Sequence, residues 1–181
     1  IVVGEILRRV VWPIPIQAAV SGHLVCSTLH SNDAPSAITR LTDMGIKPFL
    51  IASSIQAIMA QRLVRTLCKE CKQVDSKPDP SMVKLCGFTK DQLEGQTIYK
   101  AGGCSHCNNS GYRGRQGIFE LLVMNQELRE LAFNRAGIAQ VRKAARATGM
   151  KTLLHDGQRK ILRGMTSIEE ITRITQAELE A

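Results

Sequence analysis

Apolar residues follow two rhythms along this chain. Short unbroken runs mark the first third, and helical spacing marks the last. Residues 1–6, Ile-Val-Val-Gly-Glu-Ile, predict a buried strand that ends near an acid, and residues 24–29 predict a second strand. Between them a short helix is predicted at 16–20, preceded by Pro13 and Pro15. Apolar runs separated by a helix point to parallel strands of an α/β sheet.

A helix is expected next. Asn32 or Asp33 can cap it, Pro35 lies in its first turn, Ile38, Leu41 and Met44 share one face, and Gly45 stops it. A further helix is predicted from Pro48, with Ile51, Ile55, Ile58 and Leu63 as its core stripe. A strand is predicted from Gly117 to Met124, followed by helices over 126–134, 138–148, 151–163 and 167–176. The last opens on Ser167-x-x-Glu170, a capping box ahead of Ile168, Ile171 and Ile174. Residues 66–115 break both rhythms. They hold four of the six cysteines, Pro78, Pro80 and a concentration of glycines, and read as a loop-rich insert held by its cysteines.

Composition narrows the classes. The 181 residues are 44% hydrophobic and 22% charged, which excludes a disordered chain. Only 4% are aromatic, so the core must be aliphatic. The longest mostly apolar stretch, 49–60, is interrupted by Ser53, Ser54 and Gln56 and is too short to span a bilayer. The start has no signal-peptide pattern and no Met, so the chain is expected to begin inside a longer protein. The net charge of +8 divides into +3 over residues 1–65, +3 over 66–115 and +2 over 116–181. Nucleic-acid binding asks for concentrated charge and stacking aromatics, so a solvated, mildly basic surface is favoured. A weak attraction to anionic lipid or to an acidic partner stays open.

The cysteines carry more. Cys68-x-x-Cys71 and Cys104-x-x-Cys107 are two C-x-x-C turns separated by 32 residues. Each turn sets two sulfurs on one side, and two turns complete a closed tetrahedral site. Zinc fits four thiolates without redox chemistry, and a closed site is structural. An insert poor in apolar residues needs such a staple. The competing readings are a redox dithiol, an iron–sulfur cluster or four unrelated cysteines. Lys69, Lys72 and Lys100 stand near the turns, where they would soften the charge of four thiolates. His106 is expected at the surface, and Cys26 and Cys86 as a buried small hydrophobe and a free thiol. Such cysteine usage, without a signal peptide, suits a reducing cytoplasm.

Glu5 ends the first strand. An acid there is where nucleotide-binding α/β proteins place a metal-organising or water-activating carboxylate; the other reading is an exposed strand end. His23 and His30 bracket the second strand. His30 lies in Thr28-Leu29-His30-Ser31-Asn32-Asp33, a polar run that could reach a phosphate at the sheet's edge or serve only as a helix cap with a bystander histidine.

The run Gly22-His23-Leu24-Val25-Cys26-Ser27-Thr28-Leu29-His30-Ser31-Asn32-Asp33-Ala34 resembles the His box of the ATPases of type II secretion and type IV pilus assembly. The likeness continues through Ala37-Ile38-Thr39-Arg40-Leu41, Met44-Gly45-Ile46 and Ala60-Gln61-Arg62-Leu63-Val64-Arg65. It takes in the four cysteines, Gly111-Tyr112-Arg113-Gly114-Arg115, Gly117-Ile118-Phe119-Glu120-Leu121-Leu122, and Asp156-Gly157 through Arg173. The type II secretion branch looks nearest, with the pilus branch as alternative. The resemblance implies the C-terminal part of a RecA-like P-loop NTPase domain, α/β, with a tetracysteine zinc insert and a helical C-terminal region. Residues 1–65 would be the second half of the ATPase core, 66–115 the zinc subdomain, and 116–181 a strand plus helices. Ile1 to Glu5 would be the Walker B strand. Glu5 would position water and help organise Mg²⁺, and His30, with His23, would sense the γ-phosphate of ATP. Cys68, Cys71, Cys104 and Cys107 would hold Zn²⁺. The implied assembly is a homo-hexamer on the cytoplasmic face of the inner membrane, contacting membrane platform proteins and no nucleic acid.

Two features depart from that family. No G-x-x-x-x-G-K-[ST] occurs in the sequence, so the phosphate-cradling loop is not among these residues. Residues 7–15, Leu-Arg-Arg-Val-Val-Trp-Pro-Ile-Pro, replace an acid-bearing helical segment, and their two prolines oppose that helix. The chain by itself is therefore expected to be inactive. A non-catalytic, zinc-stapled assembly module is the reading of another class.

Overall fold

The computed structural model describes residues 1–5 and 12–176, with the side chains of Glu5, Lys90 and Gln176 outside the description. Residues 7–11 of the divergent segment therefore lie outside the described residues. The chain forms two compact units, residues 1–60 with 120–151, and residues 61–119 with 152 onward.

In the first unit β1 (Val2–Glu5) pairs in parallel with β2 (Cys26–Thr28), as the apolar runs imply. The register sets Val2 beside Cys26 and Glu5 beside Thr28, with an irregularity between. The expectation of a buried strand is corrected: Ile1 is 60% and Val2 86% exposed. The ladder is held by its backbone, Cys26 N–H donating to the Ile1 carbonyl at 2.9 Å. Between the strands α1 runs Pro13–Val20, three residues longer than the sequence suggests. Its prolines occupy the first turn, where backbone N–H groups have no helical acceptor to lose, so they start this helix rather than oppose it. Trp12, just before it, is buried in the core.

Asp33 caps α2 (Ala34–Asp43) in a full capping box with Ser36, and Met44–Gly45 ends it. The next helix, α3, spans only Pro48–Ser54. The predicted continuation through Leu63 is instead β3 (Ala57–Leu67), paired with β6 (Tyr112–Val123). Burial along β3 alternates, Val64 at 1% exposed and Leu63 at 49%. The step from Ile55 to Ile58 suits a helix, but pairing with a distant strand overrides it. After β6 come α6 (Gln126–Phe133) and α7 (Ile138–Ala147), within a residue of their predicted spans. Ile38, Leu41, Ile51, Leu122, Leu128 and Val141 anchor this unit's core.

The second unit holds the insert. It is less loop-like than its composition suggests: β4 (Gln73–Val74) pairs antiparallel with β5 (Tyr99–Lys100), and α4 (Pro80–Leu85) starts on an Asp79 cap. A short α5 (Lys90–Leu93) lies between. The predicted C-terminal helices are α8 (Leu153–Leu162) and α9 (Ile168–Gln176). Ile161, Ile171 and Ile118 are fully buried here. No helix among the described residues is long and apolar enough to cross a membrane.

Candidate functional site

In the first unit the parallel pairing of β1 and β2 brings the C-terminal ends of both strands to one edge. Glu5 closes β1 there, level with Thr28, and His30 follows two residues beyond. His23 precedes β2 and so belongs to the opposite end of the same sheet. Its Nδ1 lies 3.2 Å from the Ser21 hydroxyl, and its backbone N–H caps α1 through the Ala18 carbonyl at 3.0 Å. The structure thus brings Glu5 and His30 to a shared edge and keeps His23 apart from them.

The turn from His30 into α2 is heavily tied. Ser36 N–H donates to Asp33 Oδ1 at 2.9 Å, and the Ser31 hydroxyl donates to the Asp33 carbonyl at 3.2 Å. Arg142 of α7 donates from Nε to Asp33 Oδ2 at 2.8 Å. Burial opposes ionisation of Asp33, but hydrogen bonds from Ser36 and Arg142 outweigh it and hold the carboxyl below its ordinary value. The first N–H of α2, that of Ala34, is taken by Glu120 Oε1 at 2.9 Å. Two carboxylates therefore already fill the α2 N-terminus, a place where a phosphate would otherwise be favoured.

The second unit gathers the cysteines. Cys68 and Cys71 follow β3, and Cys104 and Cys107 frame a single 3₁₀ turn, Ser105–Cys107. All four sulfurs lie within 4.8 Å of one another. Cys68–Cys104 is 3.9 Å, while Cys71–Cys107 and Cys104–Cys107 are each 3.7 Å. A tetrahedral zinc with bonds of about 2.3 Å sets its sulfurs about 3.8 Å apart, so the donor set fits that ion.

Backbone geometry builds this cluster. Gly111 N–H donates to Cys107 Sγ at 3.2 Å, and Cys68 N–H donates to the Gly111 carbonyl at 2.9 Å. A Cβ on Gly102 would stand 2.1 Å from the Cys71 carbonyl oxygen, so only glycine fits there. The thiols do not share one acidity. Burial and the neighbouring sulfurs push Cys71 up to about 12. Burial also opposes ionisation of Cys107, but backbone hydrogen bonds to Cys104 and Gly111 outweigh it and bring the thiol down to about 6. His106 is exposed and accepts from or donates to nothing in the cluster; its Nδ1 meets Arg113 at 2.9 Å. Lys72 lies over the Tyr99 ring at 4.2 Å and donates to the Gly164 carbonyl at 3.2 Å. The expectation of a buried Cys26 is corrected: it lies on β2, which is exposed along its length, whereas Cys86 is the buried one, its sulfur 3.1 Å from the Thr172 hydroxyl.

The family model described as type II/IV secretion system protein matches residues 1–173. This chain belongs to that family. Among curated relatives, the type II secretion system ATPase E of Vibrio cholerae is 47% identical over 176 residues, 97% of this chain and 34% of its own length. The type II secretion system protein E of Pseudomonas aeruginosa is 44% identical, over 98% of this chain and 35% of its own length. The type IV pilus assembly ATPase PilB of Thermus thermophilus is 43% identical, over 94% of this chain and 19% of its own length. The chain thus spans between 19% and 35% of the length of these relatives. Among solved structures, the pilus retraction motor PilT with bound ADP superposes at a TM-score of 0.62 with 19% identity, over 96% of this chain and 38% of that one. The Legionella pneumophila ATPase DotB gives 0.59 with 19% identity, over 97% and 38%. These likenesses show the RecA-like α/β fold.

Two groups of this family member escaped the motif reading. Glu120 sits on the inward face of β6 between Ile118 and Leu122; an acid at a core position of an alternating strand is a legible signal. The spacing Ser167-x-x-Glu170 predicts a capping box for Glu170. The Ser167 hydroxyl does accept from the Glu170 N–H at 3.3 Å, but the carboxylate turns away to Arg65 and Arg173. Sequence spacing cannot reveal Arg65, because it lies 105 residues away.

Proposed function

We propose that this chain belongs to an ATP-hydrolysing motor subunit that powers type II protein secretion through pseudopilus assembly. The observation that carries the reading is the shared edge of β1 and β2, with Glu5 at its end and the His30 turn beside it, in a chain of the type II/IV secretion family. Strand ends of parallel sheets are where such folds meet nucleotides. Glu5 orients the attacking water and contributes to the Mg²⁺ environment. His30 meets the terminal phosphate, and His23 enters the proposal only through the His-box resemblance. MgATP, when bound, supplies the phosphoanhydride bond whose cleavage is the energy source. The cysteines Cys68, Cys71, Cys104 and Cys107 hold one structural Zn²⁺, supported by sulfur separations that suit a tetrahedral ion.

The working form is a homo-hexamer on the cytoplasmic face of the inner membrane, engaged with membrane platform proteins. Residues 1–65 belong to the ATPase core, 66–115 to the zinc subdomain and 116–181 to the helical C-terminal region. The chain by itself, lacking a phosphate-cradling glycine loop, turns over no ATP. A pilus assembly motor is the second reading, favoured by the 43% identity to a pilus ATPase over nearly the whole chain. Gene replacement separates them. Introducing the parent gene into a strain deleted for its type II secretion ATPase restores exoprotein secretion if the first reading is right. Restoration of surface pili in a pilus-ATPase deletion, without secretion, favours the second. Restoration of neither, together with zinc binding, leaves only the zinc-stapled module.

A further inference from the structure

We infer that Glu120 is a positioning residue for the His30 turn, an inference that rests on the proposed nucleotide role of His30. Glu120 lies in β6 between Ile118 and Leu122, both fully buried, and is itself only 4% exposed. A carboxylate in such surroundings is costly unless a donor meets it. One donor that meets it is the Ala34 N–H, 86 residues away in sequence and 2.9 Å from Oε1.

Ordinary capping does not require this group. Asp33 already supplies the local cap of α2, to Ser36 N–H, and Arg142 holds Asp33 from α7. Glu120 satisfies a different orphan donor, the first of the helix. Only Ser31, Asn32 and Asp33 separate His30 from that anchored amide. The turn is therefore fixed at its C-terminal side by Glu120 from the sheet and by Arg142 from a helix. With so short a tether, a shift of Ala34 is expected to carry the His30 backbone, and with it the ring.

The test is NMR of the full chain, reading Ala34 amide exchange and the ring-proton shifts of His30, with the His23 ring as internal reference. Glu120→Met keeps side-chain length but removes the acceptor; Glu120→Gln keeps an acceptor; Leu122→Ala destabilises the same face of β6 without touching Ala34. The inference expects Glu120→Met to speed Ala34 exchange about tenfold or more and to move the His30 ring signals while leaving His23 in place. Glu120→Gln restores both, and Leu122→Ala leaves His30 unmoved. If Glu120→Met does not fold, Glu120→Asp, which withdraws the carboxylate by one methylene, shows the same displacement in weaker form. An unmoved His30 in the folded Met or Asp variant, equal movement of His23, or equal movement in Leu122→Ala overturns the inference. None of these readouts uses nucleotide. A His30 that follows Glu120 in a protein whose ATP turnover ignores His30→Ala upholds the positioning and sinks the functional reading instead.

Discussion

Arg65 grips Glu170 three times. Its backbone N–H donates to Oε1 at 2.9 Å, and its Nε and Nη2 donate to Oε2 at 3.0 and 2.7 Å. Arg173 adds two further hydrogen bonds, at 3.1 and 2.9 Å, so a fully buried carboxylate accepts five. Burial opposes ionisation of Glu170, but the hydrogen bonds from Arg65 and Arg173 outweigh it and bring the carboxyl from 4.5 down to about 2. Arg65 also lies 4.1 Å over the Tyr112 ring, whose hydroxyl meets Ser167 at 2.7 Å. This one acid therefore ties β3 to the start of α9.

Glu170→Ala should cost about 3 kcal/mol in urea unfolding, the low end for breaking a buried ion pair. The low end applies because the Arg65 and Arg173 side chains are 46% and 58% exposed and can be rehydrated. Arg173→Met should cost no more than about 1 kcal/mol. The carboxyl is depressed in the folded state, so its contribution is complete above pH 4.5 and is lost as pH falls through about 2. Unfolding midpoints of the parent chain should decline over that window, and the decline should shrink in Glu170→Ala.

Gly157 of α8 is where α9 comes closest. A Cβ there would lie 2.8 Å from Ile171 Cγ2 and 2.9 Å from its Cδ1, and Ile171 is fully buried. Gly157→Ala gains up to about 1 kcal/mol of helix propensity but overpacks at about 1–3 kcal/mol. The expected net is a modest loss of thermal stability, and Gly157→Val should lose distinctly more. A gain in melting temperature for the alanine variant would show that α9 can shift away.

The metal reading predicts about one zinc per chain, with sulfur neighbours at about 2.3 Å in X-ray absorption. Cys68→Ser with Cys104→Ser should abolish it. Gly102→Ala is the subtler test, because it leaves every ligand in place and intrudes only on the Cys71 carbonyl. It should lower zinc retention against a chelator while the first unit keeps its melting transition. Full retention in Gly102→Ala would mean the turn has more room than its backbone shows.

Local patterns carried most of the fold. Helices α6 to α9 were legible from apolar residues at helical spacing; the side-chain caps of α6 and α8, Asn125 and Thr152, came only with the structure. The parallel pair β1–β2 was legible from two apolar runs with a helix between. The cysteine cluster was legible because each C-x-x-C turn is a local device, and only the meeting of the two turns needed the structure. What failed was non-local. Ile55 and Ile58 fit a helix as well as a strand, and only pairing with β6 decides for the strand. Glu120 and Glu170 find their partners 86 and 105 residues away, and no spacing rule reaches that far. The exposure of Ile1 and Val2 likewise depends on what packs against β1, which an apolar run cannot state.

The central proposal, that Glu5 serves ATP hydrolysis, is tested most directly by phosphate release from a fusion of this chain to the preceding part of the Vibrio cholerae relative, with Glu5 and with Glu5→Gln. The substitution keeps size and hydrogen bonding but removes the charge that orients water. The account predicts that turnover falls by about a hundredfold or more while ATP is still bound, and that the 181-residue chain alone shows none. Unchanged turnover in Glu5→Gln, or hydrolysis by the isolated chain, would contradict it.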